Sequence, residues 1–129
     1  MAERPQADAP HLPSPAQIEA YGNNGFRFAG MSHRGSLLCL PVGIWAWPVK
    51  DTTELTLAAL LPVFERGAPL DVFLLGVGRD PWPLPERLRA RFRELSVSVD
   101  TMPTGAAVRT YNILLAEDRR VGAGLIAVD

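Results

Sequence analysis

The sequence predicts one small α/β domain, with helices layered on a sheet, and three observations carry that expectation. Val72 to Leu75 form an apolar run that meets Gly76 and Gly78 and then the turn-rich Pro81-Trp82-Pro83-Leu84-Pro85, the pattern of a strand buried on both faces that opens into a loop. Segments with helical spacing of apolar residues flank this run on both sides. A second apolar strand, Val121 to Val128, closes the chain. Val72 to Leu75 should then form the middle of the sheet. With 129 residues the chain holds one hydrophobic core and is too short for two.

Taken in order, residues 1–16 carry Pro5, Pro10, Pro13 and Pro15 among small and polar residues and read as an extended or disordered arm. Residues 17–129 are the domain. Ile18 and Tyr21 approach the first strand. Gly25 to Phe28 alternates apolar with charged and Ser36 to Leu40 is mostly apolar; the turn-rich Gly30 to Gly35 between them predicts that these two segments form a hairpin. Pro41-Val42-Gly43 breaks the run. In Ile44 to Pro48 the two-residue period puts Trp45 and Trp47 on one face, either in the core or as a partner-binding patch, and Pro48 marks an edge strand or its end.

Asp51 followed by Glu54 resembles a capping box opening a helix through Leu57, Leu60, Leu61 and Phe64, kinked or cut short by Pro62 and stopped by Gly67. Pro85 and Glu86 open a second helix with Leu84, Leu88, Phe92 and Leu95 on one face. Its remainder carries Arg87, Arg89, Arg91 and Arg93, a solvated face or a patch for an acidic partner. Val97 to Val99 is a short strand, Thr101 to Gly105 a turn, and a third helix runs from about Thr104 to Ala116, packing through Ala107, Tyr111, Leu114 and Leu115.

Thirteen basic against fourteen acidic residues give a net charge of -1, so no global field steers the protein toward nucleic acid or an anionic membrane. The apolar runs fall far short of a membrane span, and the first residues lack the apolar run of a signal peptide. Cys39 is the single cysteine, which excludes an internal disulfide. A cytoplasmic, reducing setting follows as the expectation.

If the strands at Val72 and Val97 are parallel and joined by the second helix, a right-handed crossover gathers Gly76 to Asp80 and Met102 to Gly105 at one sheet edge. Arg109 then lies about one turn into the third helix on a stripe with Gly105 and Asn112. Arg79 or Arg109 would meet a carboxylate or phosphate there, or Arg109 would pair with Asp80, Glu117 or a carbonyl. Gly76-Val77-Gly78 is neither the dinucleotide fingerprint nor a phosphate loop. His11 and His33 stand apart from other ligand types, so no metal is expected. Cys39 sits in an apolar strand and reads as a core residue rather than a nucleophile. No catalytic residue and no cofactor is therefore assigned.

Several motifs in succession resemble a known family. They are Gly25-Phe26-Arg27-Phe28, Gly35-Ser36, the Pro41-Val42-Gly43 turn into a tryptophan strand, Leu75-Gly76-Val77-Gly78, and Met102-Pro103-Thr104 with Arg109-Thr110-Tyr111-Asn112. Tyr111-Asn112 followed by Glu117, Arg120 and an Ala/Gly-rich apolar strand is the most specific part. The family is the small domain of unknown function shared by the mitochondrial complex I assembly factor 3, an adipogenesis-associated cytosolic protein and bacterial and archaeal stand-alone proteins. The resemblance covers roughly residues 18–128. It implies a three-layer α/β fold with a mixed central sheet, flanking helices and an added β-hairpin.

Gly76, Gly78, Thr104, Arg109, Thr110, Tyr111 and Asn112 match the family motif, whereas Gly105, Gly122 and Gly124 stand where alanines are expected. The resemblance implies a non-enzymatic binding or assembly module working through protein contacts; the tryptophan face and the arginine helix then offer Trp45, Trp47, Arg87 and Arg91 as partner-binding candidates. Its rival is a small-molecule binder or enzyme with an anionic ligand at Gly76, Gly78, Arg79, Thr104, Arg109 and Asn112. An unpaired edge strand would also support a homodimer.

Overall fold

The computed structural model describes residues 9–66 and 69–129. The first half of the predicted arm, including Pro5, and the predicted helix stop at Gly67 lie outside these residues. Two sheets form. Strands β1 (Ile18–Gly22), β2 (Gly25–Phe28) and β3 (Met31–Arg34) make a three-stranded antiparallel sheet in that order. Strands β4 (Ser36–Leu40), β5 (Gly43–Trp47), β6 (Val72–Gly76), β7 (Ser98–Met102) and β8 (Val121–Leu125) make a five-stranded mixed sheet in the order β5-β4-β8-β6-β7. Among the described residues, three α-helices complete the fold: α1 (Leu57–Glu65), α2 (Glu86–Glu94) and α3 (Thr104–Ala116).

The two faces of the larger sheet carry different layers. On one face Leu38, Leu40, Trp45, Trp47, Phe73 and Leu75 pack against Leu60 and Val63 of α1 and Leu88 and Phe92 of α2. On the other, Leu37, Cys39, Ile44, Leu74 and Ala123 pack against Ala107, Val108 and Tyr111 of α3 and against Phe26 and Phe28 of the smaller sheet. The three-layer α/β arrangement with a mixed sheet, implied by the resemblance, is the observed one.

The structure corrects several local expectations. The apolar run at Val72 is not the middle strand; β8 is, pairing with β4 on one side and β6 on the other. Alternate glycines dilute the apolar signal of β8, although all five of its residues are buried. The predicted hairpin between Gly25–Phe28 and Ser36–Leu40 also does not form. Met31–Arg34, read as turn because it is polar, is an exposed edge strand paired with β2, entered through Ala29 and Gly30 at φ 50° and 74°. Gly35, at φ 98°, then turns the chain into the larger sheet, where β4 pairs with β5.

Asp51 caps a single 3-10 turn, Thr52–Glu54, accepting from Thr53 N at 2.9 Å, while Glu54 accepts from Lys50 N at 2.6 Å. The α-helix itself begins later, capped by Thr56, whose hydroxyl accepts from Ala59 N at 3.2 Å. Pro62 lies inside α1, which continues only to Glu65. β7 runs on through Thr101 and Met102, where a turn was expected, and Leu95, placed on the buried face of α2, is exposed at its end. α3 has the predicted bounds.

Within the stretch assigned to the arm, Leu12 forms an isolated antiparallel bridge with Ile44 of the outer strand β5. Ile44 N donates to Leu12 O at 2.9 Å, and His11 N donates to Ile44 O at 2.8 Å. These bonds cover one edge of the larger sheet at Ile44, which matters because open strand edges invite pairing.

Candidate functional site

β6 and β7 run parallel in register from Val72↔Ser98 to Gly76↔Met102, so their carboxyl ends meet at one edge, as the crossover rule requires. Backbone bonds lock the two loops together: Val77 N donates to Met102 O at 3.0 Å and Thr104 N to Gly78 O at 2.9 Å. Thr104, fully buried, completes the clamp. Its hydroxyl donates to Ile126 O at 2.7 Å and accepts from Gly78 N at 2.9 Å, joining the ends of β6, α3 and β8. Gly76 lets this close approach happen, since a Cβ there would lie 3.0 Å from Thr104 Cα. Gly78 adopts φ 98°, which favours glycine.

Replacing Thr104 by valine keeps the shape and removes both hydroxyl bonds, leaving Gly78 N and Ile126 O without that partner. A loss of about 1–3 kcal/mol in urea unfolding is expected, with Thr104→Ser close to wild type. Equal stability of Thr104→Val and wild type would show that the hydroxyl is not the clamp.

Above the clamp opens a shallow cleft of about 330 Å³ lined by Tyr21, Gly78, Arg79, Pro103, Gly105, Arg109 and their neighbours. Of the six residues assigned to a ligand from the sequence, Gly78, Arg79 and Arg109 line this cleft, and Gly76 and Thr104 support it from below. Arg79 donates to the Asp129 carbonyl. Arg109 is exposed and makes no ion pair or hydrogen bond with a described residue, so neither Asp80 nor Glu117 neutralises it.

Asn112 stands elsewhere: its amide nitrogen donates to Ile18 O at 2.9 Å and its amide oxygen accepts from Ile18 N at 2.8 Å, tying β1 to α3. Tyr21 was missed from the sequence. It reaches the cleft from β1, with its hydroxyl 2.2 Å from where a Cβ on Gly105 would stand, so the glycine at the start of α3 admits the ring. A glycine near a helix start was the one legible sign.

The partner-binding candidates divide. Trp45 and Trp47 are buried, at 8% and 4% exposure, and lie in the core on the α1 side, which removes both rings from any partner surface. Trp47 donates its indole N–H to Ala59 O of α1 at 3.0 Å, and the guanidinium of Arg66 stacks on Trp45 at 4.4 Å from the ring centroid. Arg87 is exposed on α2. Arg91 pairs with Glu94 at 3.1 Å and lies 5.1 Å from the Phe64 ring centroid, so it is partly engaged within the fold.

Cys39 is shielded from solvent inside the larger sheet. Burial pushes the Cys39 thiol up to about 12, beside the buried Tyr111 hydroxyl. Iodoacetamide at about pH 8 should therefore leave the folded protein unmodified and alkylate Cys39 only after unfolding; rapid labelling of the native chain, read by mass spectrometry, would place the thiol within reach of solvent. Burial lowers the His33 imidazole pKa against the opposing pull of its bond to the Ser36 carbonyl, and His11 lies 5.1 Å away, centroid to centroid. Among the described residues no cluster of His, Cys, Asp and Glu is placed to hold a metal ion, and no helix is long and apolar enough to cross a membrane.

Fold and cleft together define a small three-layer α/β domain whose mixed sheet ends in a threonine-clamped, arginine-lined edge. Residues 18–126 match the family described as a protein of unknown function (DUF498/DUF598), and the chain belongs to it. A crystal structure described as an outer membrane protein from Bartonella henselae is 50% identical, covers 92% of this chain and 100% of its own, and superposes with a TM-score of 0.87. An uncharacterised protein of Rhodobacter capsulatus is 39% identical over 98% of this chain and 93% of its own length. The NADH dehydrogenase [ubiquinone] 1 alpha subcomplex assembly factor 3 of Drosophila melanogaster is 30% identical over 84% of this chain, which spans 57% of that protein.

Proposed function

We propose that this protein is a non-enzymatic binding module of the assembly-factor kind, acting in the cytoplasm or at the inner face of the membrane through contacts with protein partners. The observation that carries this reading is the similarity, over most of the chain, to an assembly factor of the NADH dehydrogenase alpha subcomplex. The buried, high-pKa thiol of Cys39 agrees with it, because that group is not presented for catalysis. The surface offered is the arginine face of α2 rather than the tryptophan strand. Co-purification of the tagged protein from its native cells in gentle detergent tests the reading. A stoichiometric protein partner, above all from a respiratory membrane complex, is the expected result; recovery of the domain alone would overturn it.

A second reading is favoured by one feature, the unneutralised Arg109 beside Arg79 and the amino end of α3. It makes the cleft a site for a small carboxylate or phosphate. Citrate and inorganic phosphate should then raise the melting temperature of wild type but not of Arg109→Ala; an equal shift in both would remove the cleft as the site.

A further inference from the structure

The two edges of the larger sheet are treated differently, and the open one lies beside the arginine helix. At the β5 edge Leu12 pairs with Ile44. At the β7 edge no described strand pairs on the outer side. Ser98 N donates to Asp71 O and Met102 O accepts from Val77 N, so Ser98, Asp100 and Met102 bond toward β6. By alternation, the N–H and C=O groups of Val99 and Thr101 point outward. Between this edge and α2 runs a groove of about 470 Å³ lined by Arg89, Arg93, Ser96, Val97, Ser98 and Val99. Its charged rim is arginine alone. Arg93 shares Glu86 at 2.6 Å, while Arg89 has no ion pair with a described residue. Asp100 does not neutralise the groove, because Val97 and Val99 pack on the α2 face and strand alternation sends Asp100, like Met102, to the opposite face.

We propose that the β7 edge accepts an extended segment of a partner protein as an added strand, with carboxylates at every second residue facing Arg89 and Arg93. This deepens the binding-module reading and rests on it. Main-chain bonds to Val99 and Thr101 supply the affinity of such an addition, and the alternating side chains supply its selectivity. Carboxylates belong on the α2 face only, since the other face of the added strand meets Ser98 and Asp100. A second copy of this chain fits worse: antiparallel pairing about a two-fold axis sets the groove arginines of both copies on the same face of the joined sheet, like charge toward like.

The test uses the full chain, labelled with ¹⁵N, and two soluble probes: a capped peptide alternating threonine with glutamate, and its threonine–lysine counterpart. The glutamate peptide should shift the amides of Val99 and Thr101, and Arg89→Glu with Arg93→Glu should weaken it by about tenfold or more. Val99→Pro should abolish it while leaving the β6 ladder intact, because only an outward N–H is lost. An equal response to the lysine peptide, no response at the β7 edge, or shifts centred on the Arg79 and Arg109 cleft would overturn the proposal. So would Val99 and Thr101 amides that shift with protein concentration in the absence of peptide, which would assign the edge to a second copy. A stoichiometric native partner kept by the Arg89→Glu, Arg93→Glu chain would preserve the binding-module reading and discard the edge.

Discussion

Trp47→Ala should destabilise the protein by about 3–5 kcal/mol. Trp47 is 4% exposed, packs in the core on the α1 side of the sheet, and anchors that helix through the bond from its indole N–H to Ala59 O. Truncation therefore opens a cavity and leaves a carbonyl of α1 without its partner. The position gives the loss little chance to relax, since Trp47 sits opposite Ser36 in a register where Ser36 is itself buried and donates to Val49 O at 2.6 Å. Urea or thermal unfolding measures the effect. Trp47→Phe should lose less, because a ring still fills most of the space. A change within about 0.5 kcal/mol, typical of a surface site, would return Trp47 to the surface and revive its partner-binding role.

Gly124→Ala should also destabilise, by about 1–3 kcal/mol, although alanine is ordinarily the better strand residue. A Cβ on Gly124 would stand 2.6 Å from Trp47 Cη2 and 2.7 Å from Cζ3, the body of a buried ring rather than the free end of a flexible chain. The backbone has no room to retreat. Gly124 is paired with Leu38 of β4 on one side and Leu75 of β6 on the other. The same reasoning makes the two substitutions interdependent: Gly124→Ala in a Trp47→Phe background should cost less than in wild type, a coupling of about 0.5–3 kcal/mol in a double-mutant cycle. Additive losses, or a more stable Gly124→Ala, would show that the glycine is not there to make room for the ring.

Trp47 and Phe73 together explain the departure from alanine at Gly124 and Gly122 respectively. In β8, Val121, Ala123 and Leu125 face α3, whereas Gly122 and Gly124 face the layer that holds Trp47 and Phe73. Large rings on β5 and β6 are accommodated by removing side chains from the strand between them. The lower strand propensity of glycine is offset by the burial of those rings, and tertiary packing decides the outcome.

With both tryptophans buried, two of the surfaces singled out from the sequence stay exposed, the arginine face of α2 and the cleft at Arg79 and Arg109. The two lie on different parts of the molecule and make separable predictions. Loss of partner on reversing Arg89 and Arg93 bears on the first; loss of anion-dependent stabilisation on removing Arg109 bears on the second.

What the sequence determined by itself was local or periodic. The bounds of α3 followed from apolar spacing and the Met102-Pro103-Thr104 entry, and the parallel pairing that joins Gly78 to Thr104 followed from a single crossover helix of ordinary length. The placement of Trp45 and Trp47 on one face followed from the two-residue period of a strand. Which layer covered that face did not, because burial depends on where α1 docks. Nor could periodicity identify β8 as the central strand, since its glycines carry no apolar signal and gain meaning only opposite Trp47 and Phe73. Asn112 matched a motif but its task, holding Ile18 from 94 residues away, exists only once β1 crosses α3. The open edge at β7 is likewise decided by strand order, a property of how distant segments pair rather than of any one segment's residues.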